Sequence, residues 1–174
     1  EDVHDKILGM IDSYVNNACD TFLAGDVPEE WNFDSLRAHF LGILTTEEDF
    51  EYTVDELNRL DADDIRNELL ERARKMYAEK DEMFTPEELS TIERSVLLRN
   101  VDSNWINHID AMEDLQDSVG LQAYAQKDPV NMYRNAAADM FDEMVMTMRE
   151  QTARMLLMIV PTTQLKAPAA LRIT

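Results

Sequence analysis

The stretch GLQAYAQKDP, residues 120–129, decides the fold of this chain. It opens on Gly120, the residue type that most often stands just past the last turn of a helix. It closes on Asp128-Pro129, an N-cap residue followed by the residue best suited to a first helical position. Upstream, Leu89, Ile92, Val96, Val101, Trp105, Ile109, Met112, Leu115 and Val119 recur at close to helical spacing with no breaker among them. Downstream, Val130, Tyr133, Ala137, Met140/Phe141, Met144, Met148, Met155 and Ile159 do the same until Pro161. A helix of roughly 34 residues is ~50 Å long. A connection of about eight residues obliges its two neighbours to run antiparallel. Residues 85–160 are therefore predicted to form a long helical hairpin, started by Thr85-Pro86-Glu87-Glu88, which combines a capping box with Pro at the first turn.

The first 84 residues read as shorter helices. Val3, Ile7, Ile11, Tyr14/Val15, Ala18 and Phe22 mark one apolar face, with Gly25 and Pro28 as its stop. Asp34 is placed as the cap of a short helix whose inward side is Leu36, Phe40 and Ile43/Leu44. Thr53 and Glu56 have capping-box spacing, and Asp61 or Asp63 caps a longer helix facing inward with Ile65, Leu69, Ala73 and Met76/Tyr77. A strand at FEYTV (50–54) is the one β alternative, from its aromatic and β-branched content. The expected fold is all-α: a small helical domain over residues 1–84, the hairpin over 85–160, and a mobile tail over 161–174. Two helices cannot bury both of their apolar stripes on each other alone, so the hairpin's base needs a further surface.

Composition narrows the function. The 174 residues carry 36 acids against 16 bases, a net charge of −20, which repels phosphate backbones and argues against nucleic-acid binding. Cys19 is the only cysteine, so no internal disulfide forms and a reducing compartment is expected. No apolar run reaches the ~18 residues of a membrane span. The opening EDVHDKILGM has no signal-peptide pattern, lacks an initiator Met and enters helical periodicity at once. It reads as a piece of a longer protein.

No catalytic constellation emerges. Gly9, Gly25, Gly42 and Gly120 are isolated, and no phosphate-cradling GxxxxGK occurs. Glu1 and His4 make a single Glu-x-x-His pair where a di-iron bundle needs two. DADD (61–64) has no calcium-loop spacing and suits a helix N-terminus. Cys19 reads as a small buried hydrophobe. His108, three residues after Trp105, reads as a structural hydrogen-bonding residue of the hairpin. The methionines of the second hairpin helix (Met132, Met140, Met144, Met146, Met148, Met155, Met158) read first as packing and second as a soft peptide-binding face. Two readings of the tip stand side by side. Leu121 folds back beneath the turn, or Leu121, Tyr124, Gln126 and Lys127 form an exposed grip in which the tyrosine ring suits many sequences.

Residues 91–145 resemble the SecA preprotein-translocase motor family. The likeness rests on Asp102-Ser103, Trp105-x-x-His108, Ala111-Met112-x-x-Leu115, Tyr124-Ala125-Gln126-Lys127-Asp128-Pro129 and Met140-Phe141. It implies that residues 1–84 are a helical wing and 85–160 the two-helix finger of a helical scaffold, with Trp105, His108, Gly120, Asp128 and Pro129 shaping the finger. It further implies that the tip, Tyr124 above all, contacts unfolded preprotein at the SecY channel, and that the finger regulates the parent's ATPase. ATP and magnesium would belong to the parent's motor domains and zinc to a tail absent here, leaving this segment with no cofactor and no catalytic site. The motor domains and the long scaffold helix would be partners within the parent chain, and the isolated segment could self-associate. The place of work would be the cytoplasm and the cytoplasmic face of the inner membrane. Gln116, Ser118 and Gln122 stand where the family commonly has Arg, Gly and Arg, which leaves Lys127 the one base in the loop. The rival reading is a stand-alone helical peptide-binding module or adaptor that uses the Met-rich face.

Overall fold

The computed structural model describes residues 2–122 and 128–165. Its helices are α1 (Val3–Phe22), α2 (Phe33–Phe40), α3 (Val54–Leu57), α4 (Ala62–Ala78), α5 (Lys80–Met83), α6 (Pro86–Gln122), α7 (Pro129–Met158) and α8 (Thr162–Leu165). A 3₁₀ turn at Pro28–Glu30 precedes α2. Among the described residues there is no β-strand, only an isolated bridge between Leu41 and Thr45. The fold is all-α, as the periodicity predicts.

α1 is the centre of the packing. Its buried residues Ile7, Met10, Ile11, Tyr14, Val15, Ala18 and Cys19 fall at steps of one, three and four, a broad apolar face wide enough for two sets of neighbours. On one side lie α2, through Leu36 and Phe40, and α4, through Ile65, Leu69, Leu70, Ala73 and Tyr77. On the other lies the last third of α7, through Ala153, Leu156 and Leu157. The hairpin's base thus finds its surface in the first 84 residues, and one continuous core serves both. Ion pairs flank the α1–α4 contact: Arg74 holds Asp12 with two bonds of 2.9 and 3.0 Å, and Arg66 reaches Asp20 at 2.6 Å.

Local signals explain most helix starts. Thr53 and Glu56 close a capping box, and so do Thr85 and Glu88, where Thr85 N donates to Glu88 Oε2 at 2.9 Å. Asp61 rather than Asp63 caps α4, accepting from Asp63 N. Asp128 caps α7, accepting from the amides of Val130 and Asn131.

Four expectations are corrected. α2 begins one residue before Asp34 and is capped by Asn32, whose Oδ1 accepts from Ser35 N at 3.0 Å. FEYTV is not a strand: Phe50 has φ 62°, which no extended run accommodates. Pro161 does not open an irregular tail, since Thr162–Leu165 forms a further helical turn. Gly120 does not stop the first hairpin helix. Only Gly25 and Gly42 have positive φ among the described glycines, and α6 runs through Gly120 to Gln122. A glycine ends a helix by adopting the left-handed conformation; without it, glycine is merely a weak helix former.

Two predictions follow from the packing. A Cβ at position 120 would meet nothing within 4 Å. Gly120→Ala should therefore stabilise the chain by about 0.5–1 kcal/mol in urea denaturation, whereas a left-handed cap would make it destabilising. Leu156→Ala, at a fully buried position, should cost about 2–5 kcal/mol in the same assay, and Val130→Ala, at an exposed one, less than about 0.5.

Candidate functional site: the hairpin seam, its tip and its joint

α6 and α7 pack antiparallel: Asn100 meets Thr152, Asn104 meets Gln151 and His108 meets Phe141, the partner number falling as the first rises. The apolar series of α6 lies inward at both ends, with Leu89 buried and Ile92, Val96, Met112, Leu115 and Val119 half-buried, but not in its middle. Through this middle stretch the seam with α7 passes through Asn100, Asn104 and His108. The apolar residues next to these in sequence point outward. Leu98 is 62% exposed, Val101 38%, Trp105 49%, Ile106 60% and Ile109 44%. At 100° per residue, a seam displaced by one position turns these side chains from the partner helix toward solvent. Val101, Trp105 and Ile109 are therefore corrected from inward to outward, and Val130, Phe141 and Met155 on α7 are likewise exposed.

The polar seam is hydrogen-bonded where it is buried. Asn100 Nδ2 donates to Thr152 Oγ1 at 3.0 Å, and Thr152 Oγ1 donates to the Met148 carbonyl at 2.8 Å. Asn104 Nδ2 donates to Gln151 Oε1 at 2.8 Å. His108 makes no hydrogen bond among the described residues, contrary to expectation. Its ring lies between Trp105, at 5.7 Å, and Phe141, at 5.9 Å and edge-on.

At the tip, Leu121 is 75% exposed. Tyr124, Gln126 and Lys127 lie outside the described residues. Gly120 and Pro129 come together as walls of a shallow crevice of about 480 Å³, completed by Gln116, Val119, Val130 and Tyr133. The methionines divide: Met146 and Met158 are 50% and 53% exposed, while Met132, Met140, Met144 and Met148 are half-buried.

At the opposite end, two buried polar contacts join the hairpin to the shorter helices. Glu93 of α6 is 1% exposed, and its Oε1 accepts both the Tyr77 hydroxyl proton and a 2.8 Å contact from His4 Nδ1. Burial and the neighbouring Glu93 carboxylate push the Tyr77 hydroxyl far above the ordinary tyrosine range, so it remains a donor. Lys80 is 3% exposed and donates to the Ile159 carbonyl at 2.9 Å, capping the end of α7 with a positive charge. Burial draws its pKa downward. Between α2 and α7, His39 Nε2 stands 3.2 Å from Glu150 Oε1 without hydrogen-bond geometry, and Tyr14 Oη of α1 is buried with no hydrogen-bond partner among the described residues.

Sequence reasoning missed Glu93, Asn100, Thr152 and Lys80. Leu89, Glu93, Val96 and Asn100 follow a four-three-four spacing that was legible in principle. Weighting by apolarity alone passed over its polar members.

Little else offers chemistry. Among the described residues no cluster of His, Cys, Asp or Glu is arranged to hold a metal ion. None of the described helices is long and apolar enough to cross a membrane. Cys19 is fully buried, and burial pushes its thiol up to about 11, which makes it a packing residue.

A family model for the SecA wing and scaffold domain matches residues 1–160. The chain belongs to the SecA wing and scaffold family. Relatives named protein translocase subunit SecA include those of Clostridium beijerinckii, 35% identical over 161 residues, Halothermothrix orenii, 36% over 162, and Clostridium novyi, 38% over 157. The alignments take in 90% or 91% of this chain but only 18% or 19% of the relatives, so this wing and scaffold chain spans less than a fifth of their length.

The seam of this SecA wing and scaffold chain yields a prediction. Asn100→Ala removes the donor to Thr152 and opens a small gap, and should cost about 1–3 kcal/mol in urea denaturation. Asn104→Ala, nearer the surface, should cost under about 1 kcal/mol.

Proposed function

We propose that this chain is the wing and scaffold portion of a SecA-type protein translocase subunit, with residues 1–84 as wing and 85–160 as finger. In this reading the α6–α7 hairpin is a stiff rod whose tip meets the polypeptide being moved. The observation that carries it is the apolar patch that the middle of α6 turns outward. A helix that pairs with α7 through Asn100, Asn104 and His108 while exposing Leu98, Val101, Trp105, Ile106 and Ile109 turns an apolar patch toward a second surface. The rest of a parent several times longer supplies such a surface. From Pro86 to Gln122, α6 has 37 residues, or ~55 Å at 1.5 Å per residue, and it carries Leu121 exposed near its far end.

Tyr124, with Leu121, Gln126 and Lys127, is the proposed polypeptide contact at the mouth of a SecY-type channel. ATP and magnesium would act in the parent's motor domains, whose hydrolysis the finger would regulate. The parent would work from the cytoplasm on the face of the inner membrane. Gln116, Ser118 and Gln122 leave the tip less basic than is usual in the family, which weakens its hold on acidic surfaces.

Two measurements test this in a full-length parent carrying the segment. Tyr124→Ala should slow transport of an unfolded preprotein about tenfold, and Tyr124→Phe by less than about twofold, because ring contact is the proposed property. Leu98→Ser should leave the stability of the isolated chain within about 0.5 kcal/mol yet impair transport by the parent. Full transport by both Tyr124→Ala and Leu98→Ser would overturn the reading. Micromolar binding of unfolded peptide by the isolated chain, lost on changing exposed Met146 and Met158 to Ser, would favour a stand-alone binding module instead.

A further inference from the structure

The joint at the hairpin's base contains a titratable contact that the rod reading does not use. His4 lies in the first turn of α1, Glu93 in the third turn of α6 and Tyr77 near the end of α4. The three meet on one carboxylate oxygen: His4 Nδ1 at 2.8 Å and the Tyr77 hydroxyl both address Glu93 Oε1. The His4 ring also stacks on the Tyr77 ring, centroids 5.8 Å apart and planes 25° from parallel. Glu93 is almost fully buried, whereas the His4 side chain keeps 35% of its surface in solvent. The histidine can therefore exchange its proton with water while its partner cannot readily be hydrated.

The groups facing His4 have one sign. Glu93 approaches from α6, Asp81 from α5 and Asp2 from its own N-cap, while α4 contributes only the neutral Tyr77 hydroxyl. A crevice of about 240 Å³ lined by Asp2, His4, Asp81, Pro86, Leu89, Ser90 and Glu93 brings these acids together.

We propose that His4 and Glu93 form a proton-operated latch, which fastens the first turn of α1 to the base of the hairpin while His4 is protonated and loosens when that proton leaves. Protonated, the pair is a charge-assisted hydrogen bond to a carboxylate with little access to water. Neutral, His4 keeps at most an ordinary hydrogen bond, while Tyr77 goes on donating to Glu93 and holds α4 to α6. Release is therefore confined to the start of α1 and does not unfold the joint.

Partial burial pulls the His4 pKa down. The Glu93 hydrogen bond and charge, then Asp81 and Asp2, outweigh burial, and the net direction is upward from 6.5. A histidine whose folded pKa is raised contributes stability that is fully present below its unfolded pKa. That contribution is lost as pH rises through the folded value. The latch thus closes below the folded pKa of His4 and opens as pH rises through it, and each pKa unit of separation corresponds to about a tenfold change in its closing equilibrium.

The experiment is amide hydrogen exchange of this chain across pH 5.5 to 8.5, corrected for intrinsic rates, beside an NMR titration of the His4 ring. Protection of residues 3–8 should fall several-fold over the range in which His4 titrates, while α4 and α6 stay unchanged. His4→Phe keeps the ring stacked on Tyr77 and should make that protection independent of pH. Asp81→Asn should lower the His4 pKa and shift the exchange transition to lower pH with it. A His4 pKa at or below that of the urea-unfolded chain overturns the latch. So does a pH-dependent opening that persists in His4→Phe. Both results stand apart from transport by the parent, so the latch and the rod reading can fail separately.

Discussion

The structure depends on α1 having two partners at once. Its apolar face is too broad to be covered by α4 and α2 alone, and the terminal third of α7 covers the remainder with Ala153, Leu156 and Leu157. Burial of these side chains, each of order 1.5–3 kcal/mol, fixes where the hairpin attaches. From there outward the hairpin has no third layer. Toward the tip, beyond about His108 on α6 and Phe141 on α7, the described residues of the two helices are at most half-buried. A well-packed base and a thin shaft are the direct outcome of one helix serving as the shared wall.

The buried polar groups gather at the same joint. Glu93 with Tyr77 and His4, and Lys80 with the Ile159 carbonyl, occupy the places where the two hairpin helices meet the shorter ones. Each is a group whose desolvation is costly unless it is paired, so each specifies a geometry more strongly than an aliphatic contact does. Aliphatic residues tolerate sliding; a carboxylate that must find both a phenol and an imidazole does not. The orientation of the hairpin to the shorter helices is thereby pinned by a few directional bonds placed around a non-directional core.

Much of the architecture was legible in the sequence because helices announce themselves through caps and period. Thr53-Glu56, Thr85-Glu88 and Asp128-Pro129 act as their chemistry requires. Gly120 misled because the residue type was read without its conformation, and composition alone cannot tell a glycine in a helix from one that ends it. The α6 seam misled for another reason. Apolar periodicity reports which face avoids water, and for Val101, Trp105 and Ile109 it was taken to report which face meets α7. In a chain less than a fifth of its relatives' length, the two faces need not coincide. The tip residues remain a matter of sequence alone, since Tyr124, Gln126 and Lys127 lie outside the described residues.

The continuity of α6 through Gly120 has a mechanical meaning. Glu93, where α6 is gripped, and Gln122, where it ends, are 29 residues apart within one unbroken helix. That is a radius of ~44 Å, so tilting the helix by about 7° about its grip sweeps the far end through roughly 5 Å, close to one helical pitch. Rearrangements small enough to occur inside a packed core would thus be magnified into strokes comparable to the spacing of residues along an extended chain.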